Sequence, residues 1–157
     1  GRDVLFEAHR VREIDTFFDA LLEQVGDYEA GVDGDPTLQG LMARTVAVAM
    51  RALRNDEHLA AMLASEPGEV ISDLTVDGLP RIIRVATTYM TPLIDSYLPR
   101  AEARALIELT VRLVISYFLA PSDLIDLTDE AEAAAFIEPF LPTIHPSTHP
   151  STSGDRP

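Results

Sequence analysis

The chain has 157 residues, 46% of them hydrophobic and 24% charged, which is the size and make-up of one compact globular domain. It contains no cysteine, which excludes disulfides, thiolate nucleophiles and cysteine-ligated metals and fits a reducing, cytoplasmic setting. Its net charge is −14, with 12 basic residues, all of them arginine, against 26 acidic ones. Such a surface repels the phosphate backbone of DNA and favours solubility. No apolar run is long enough to cross a bilayer, and no signal-peptide pattern occurs, so no membrane partner is expected.

From Val4 the apolar residues Leu5, Val11, Ile14, Phe17, Phe18, Leu21, Leu22 and Val25 recur at helical spacing. They predict a first helix that Gly26 ends, followed by a polar loop over 27–35. Asp35-Pro36 reads as a second helix start, with a carboxylate to cap free N–H groups and a proline suited to the first turn. Leu38, Leu41, Met42, Val46, Ala49, Met50 and Leu53 then share one face. Asn55 or Asp56 caps a shorter helix through Leu59, Met62 and Leu63, and Glu66-Pro67-Gly68 breaks the chain before a short apolar turn at 70–74.

Pro80 opens a helical pattern through Ile82, Ile83, Ala86, Met90, Leu93, Ile94 and Tyr97. Pro92 lies inside it and predicts a kink or restart near Thr91. After Pro99, residues 106–119 are apolar on nearly every side and need cover all round, for which a second subunit is the natural source. Thr128 or Asp129 caps a last helix containing Ala131, Ala133, Ala134, Ala135, Phe136, Ile137 and Phe140. No segment alternates as a strand does. The expected fold is all-α with about six helices over residues 1–141, and the Pro-, Ser-, Thr- and His-rich residues 142–157 read as a disordered tail.

Two stretches carry a family resemblance. Arg2-Asp3-Val4-Leu5 leads abruptly into the helix that reaches Phe17-Phe18. Val111-Arg112-Leu113-Val114-Ile115-Ser116-Tyr117-Phe118-Leu119-Ala120-Pro121 runs on to Ile125-Asp126-Leu127-Thr128-Asp129 and the helix end at 136–141. Together they resemble the ligand-binding and dimerisation domain of TetR-family transcriptional regulators. The resemblance implies a homodimer joined by a four-helix bundle built from the last two helices of each copy. It implies a ligand cavity among the earlier helices, and operator DNA contacted only through an N-terminal helix-turn-helix domain that this chain lacks. The interface residues it implies are Leu109, Leu113, Ser116, Tyr117, Ala134 and Ile137.

The candidate ligand contacts are Phe18, Met42, Met50, Met62, Thr87, Tyr89 and Met90. Methionine adapts to varied apolar shapes, and tyrosine offers a ring with one polar end. Taken one at a time, core filling is the plainer reading of each. His9 and Glu13, spaced i, i+4, read as an exposed helix-face pair because no third metal ligand accompanies them. His58 falls in a first helical turn. The carboxylates Asp27, Glu29, Asp33 and Asp35 lack the bidentate glutamate of a calcium loop. No nucleophile elbow, zinc-protease motif or phosphate-binding glycine loop occurs, so no catalytic residue, metal or cofactor is assigned. The expected function is the sensor half of a TetR-type repressor that binds a small, mainly apolar ligand. The alternative is a free-standing helical dimer acting by ligand sequestration or protein–protein contact.

Overall fold

A computed structural model of the chain describes residues 1–29 and 34–147. Among these the regular structure is seven α-helices: α1 (Arg2–Glu29), α2 (Leu38–Arg54), α3 (Glu57–Ser65), α4 (Pro67–Thr75), α5 (Leu79–Ile94), α6 (Arg100–Leu119) and α7 (Glu130–Ile137). No strand occurs among the described residues, and the fold is all-α.

The centre is α2, in which ten residues from Leu38 to Met50 are buried. It packs against α1, α6 and, most extensively, α7, while α5 pairs with α6 and α3 pairs with α4. Its start is held from three directions. Thr37 Oγ1 accepts from Gly40 N at 3.1 Å, and Leu38 N donates to the Ile144 carbonyl at 2.8 Å. The Tyr28 hydroxyl accepts from Thr37 N at 3.0 Å. Arg51 and Arg54 occupy the last turn, where cations favour the negative end of the helix.

The helix limits differ from the sequence expectations at several points, each for a local reason. Gly26 does not end α1, which runs on to Glu29 because Val25 and Tyr28 still pack on the core. The cap of α2 is Thr37 rather than Asp35. Residues 67–75 form a full helix, making seven rather than six, since Pro67 at the first turn presets helical φ instead of merely breaking the chain. Pro92 neither stops nor restarts α5, because it falls in the last turn, and Asp95 N still reaches the Thr91 carbonyl at 2.9 Å. The last helix ends at Ile137, short of Phe140. Val4 and Leu5, counted in the first stripe, are exposed; among the described side chains of α1, Phe18, Leu21 and Val25 are buried.

The loop before α7 is built from side-chain caps. Asp126 Oδ1 accepts from Thr128 N at 2.9 Å and from Thr128 Oγ1 at 2.6 Å, and Asp129 Oδ1 accepts from Glu132 N at 2.9 Å. Glu132 reaches back to accept from Asp126 N at 2.8 Å. Of the expected tail, residues 142–147 follow the body: Ile144 packs on the core and Ser147 N donates to the Ser96 carbonyl at 2.7 Å. Residues 148–157 lie outside the described part, as do Gly31 and Asp33 of the loop after α1.

Candidate ligand-binding cavity

The helices line a partly open apolar cavity of about 280 Å³, with walls from α1, α2, α5 and α6 and further lining from α3 and α4. That volume lies near the lower end for small-molecule sites. Each wall presents one helical stripe: Ile14, Phe17, Phe18 and Leu21 from α1; Met42, Thr45, Ala49 and Leu53 from α2; Ile82, Ala86, Met90 and Ile94 from α5; and Ile107, Thr110, Val111 and Val114 from α6. The spacing of three and four residues keeps each set on one face. Leu59 and Met62 of α3 and Val70 and Leu74 of α4 complete the lining.

The polarity is uneven along its length. Towards Leu21, Met42, Met90 and Ile107 the polar atoms belong to the threonines Thr45 and Thr110. Their hydroxyls donate to the Leu41 and Leu106 carbonyls, both at 2.7 Å. At the other end, where α1 meets α3 and α4, the lining carries His9, Arg10, Glu13, Asp56, His58, Asp73 and Arg81. Arg10 Nη1 bonds Asp73 Oδ1 at 2.6 Å, tying α1 to α4. Glu13 Oε1 lies 3.1 Å from His9 Nε2 and 3.9 Å from His58 Nε2, bridging α1 to α3. Asp56 Oδ1 caps α3 through Leu59 N at 2.9 Å.

Of the seven candidate contacts, Phe18, Met42, Met62 and Met90 line the cavity. The other three do not. Met50 is wholly buried, one position beyond Ala49 and so about 100° round α2 from the lining stripe. Thr87 is displaced likewise from Ala86, and its hydroxyl donates to the Ile83 carbonyl at 2.7 Å. Tyr89 stands behind the wall. Its ring stacks on Phe18 with centroids 5.5 Å apart, and its hydroxyl donates to Asp15 Oδ1 at 3.3 Å. Burial and the carboxylates of Asp15 and Asp19 raise the Tyr89 pKa above its ordinary value.

The sequence reading missed the charged end of the cavity. Arg10 lies four residues before Ile14 and seven before Phe17, a hint that it shares their face. The convergence of α1, α3, α4 and α5 at one place has no signature in a linear pattern.

A second apolar feature lies on the outside. Leu106, Leu109, Leu113, Phe136, Ile137 and Phe140 border a groove of about 310 Å³ between α6 and α7. Leu109 is 61% exposed and Phe140 76%. Three residues expected at a subunit interface, Leu109, Leu113 and Ile137, line this groove. Ala134 is half-buried, Ser116 is exposed, and Tyr117 meets the Phe136 ring edge-on at 5.8 Å. Among the described residues no cluster of three metal-ligating side chains occurs, and no helix is long and apolar enough to cross a membrane. No family model, curated protein or solved structure matches the chain.

Proposed function

We propose that the chain is the sensor and dimerisation domain of a TetR-type transcriptional regulator, binding a small, mainly apolar ligand in the α1–α6 cavity. The observation that carries this reading is the cavity itself, whose wall joins stripes from six helices. A ligand there touches most of the elements at once, so its binding energy acts on their relative positions. The exposed apolar groove between α6 and α7 supports pairing with a second copy. The acidity of the chain supports leaving contact with DNA to a separate, basic part of the regulator. The same acidity also suits the second reading, a helical dimer that sequesters its ligand without any DNA contact.

The test is calorimetric titration of a series of primary alcohols from hexanol to decanol. Each added methylene should contribute about 0.8 kcal/mol, close to fourfold in affinity, until the apolar end is full. Absence of binding across the series would remove the ligand-sensing reading.

A further inference from the structure

We propose that Met42 sets how long a ligand the cavity takes, by closing its apolar end against the α6–α7 groove. This rests on the reading of the cavity as a ligand pocket and adds what limits the ligand's length.

The cavity of about 280 Å³ and the groove of about 310 Å³ share two lining residues, Met42 and Thr110. These stand on α2 and α6, which pack against each other. The division is clearest along α6. At about 100° per residue, Ile107, Val111 and Val114 fall to one side of Thr110 and line the cavity. Leu106, Leu109 and Leu113 fall to the other side and line the groove. On α2, Thr45 belongs to the cavity and Val46 to the groove, with Met42 about one turn before both. Between these two helices, the inner and outer spaces are therefore one layer of side chain apart.

The two members of this partition are fixed differently. The Thr110 hydroxyl donates to the Leu106 carbonyl at 2.7 Å, which holds its branched side chain on α6. Met42 is buried, and its unbranched thioether chain is suited to filling an irregular gap between helices. A ligand whose polar terminus stays at the charged end of the cavity sends its apolar tail to the opposite end. Met42 lies there, in the lining shared with Leu21, Met90 and Ile107. A growing tail gains contact until it meets Met42. Beyond that side chain lies further apolar space, bordered by Leu113, Phe136 and Ile137, which Met42 withholds.

Equilibrium dialysis of primary alcohols from octanol to tetradecanol, supplied from a cyclodextrin complex, reads the length limit directly. With the wild type, affinity should rise about fourfold per methylene up to a limiting length and then stop rising. Met42→Ala should still bind octanol and should move the limit to longer chains. At tetradecanol it should bind about tenfold or more tighter than the wild type, close to the worth of two methylenes. Leu109 borders the groove and not the cavity, so adding Leu109→Asp to Met42→Ala should cancel that gain while octanol still binds. Met42→Leu conserves volume and should keep the wild-type limit. Where Met42→Ala loses helical content, Met42→Val opens the same partition with a smaller void and carries the same expectations.

Three results would overturn the proposal and leave the pocket reading in place. They are wild-type affinity still climbing at tetradecanol, a limit unchanged by shortening Met42, and a gain at tetradecanol that survives Leu109→Asp. The last would mean a deeper cavity still closed off from the groove. Failure of the wild type to bind any of the alcohols would overturn the pocket reading itself, and this proposal with it.

Discussion

Gly78 and Gly40 are both closely approached, but by different kinds of neighbour, and the difference should be measurable. A methyl group on Gly78 would run into the backbone carbonyl of Asp73, which α4 holds in place. On Gly40 it would meet the tip of the Tyr28 ring, which can swing aside at the expense of its bonds to Thr37. Chemical denaturation should find Gly78→Ala the costlier change, at about 2–3 kcal/mol. Gly40→Ala should cost about 1 kcal/mol, because alanine's helix propensity offsets part of the loss. Equal costs would show that Tyr28 is as rigid as backbone.

The carboxylate of Asp126 also works locally. The hydroxyl and the N–H of Thr128 hold its pKa below the ordinary 3.8. Its contribution to stability is therefore present above that pH and lost as pH falls through the lowered value. Melting temperature measured down an acid series should fall less steeply for Asp126→Asn than for the wild type. Identical acid limbs would mean that the Asp126–Thr128 turn does not form in solution.

Among the elements, α3 stands apart. None of its residues is fully buried, whereas ten are in α2, yet Leu59 and Met62 form part of the cavity lining. It is held by the Asp56 cap, by the α4 pairing and by the His58–Glu13 contact. Few buried contacts mean low local stability. Hydrogen exchange should therefore be faster in α3 than in α2, and a bound alcohol should slow it selectively. Protection in α3 equal to that of α2 would contradict its placement as a loosely held cover. The elements also show where linear patterns carry structure and where they do not. The stripes of α1, α2 and α5 are plain in the spacing of apolar residues, and through them Phe18, Met42 and Met90 were legible as cavity residues. Tyr89 was misplaced because its position behind Phe18 depends on how α5 crosses α1. The fate of Gly26 and Pro92 was decided by packing and by distance from the helix end, which residue identity does not encode.

At the scale of the molecule there are two apolar features, the inner cavity and the α6–α7 groove; under the proposed function a small ligand fills the first and a second copy covers the other. Sedimentation equilibrium at micromolar concentration should find a dimer, and Leu109→Asp, at an exposed position, should give a folded monomer. A wild-type monomer would remove the dimerisation half of the account. The division of charge fits the same picture, since charged side chains of both signs gather at one end of the cavity while the rest of its wall stays apolar. The central claim is that the cavity is a binding site, and the most direct measurement is decanol titration into the wild type and into Ala49→Phe. Ala49 lines the cavity from α2, the best-packed helix, so the added ring fills the site from within. The account requires micromolar-range binding by the wild type and its loss in a variant that keeps its helical content. Equal affinity in the two proteins would place decanol elsewhere and contradict it.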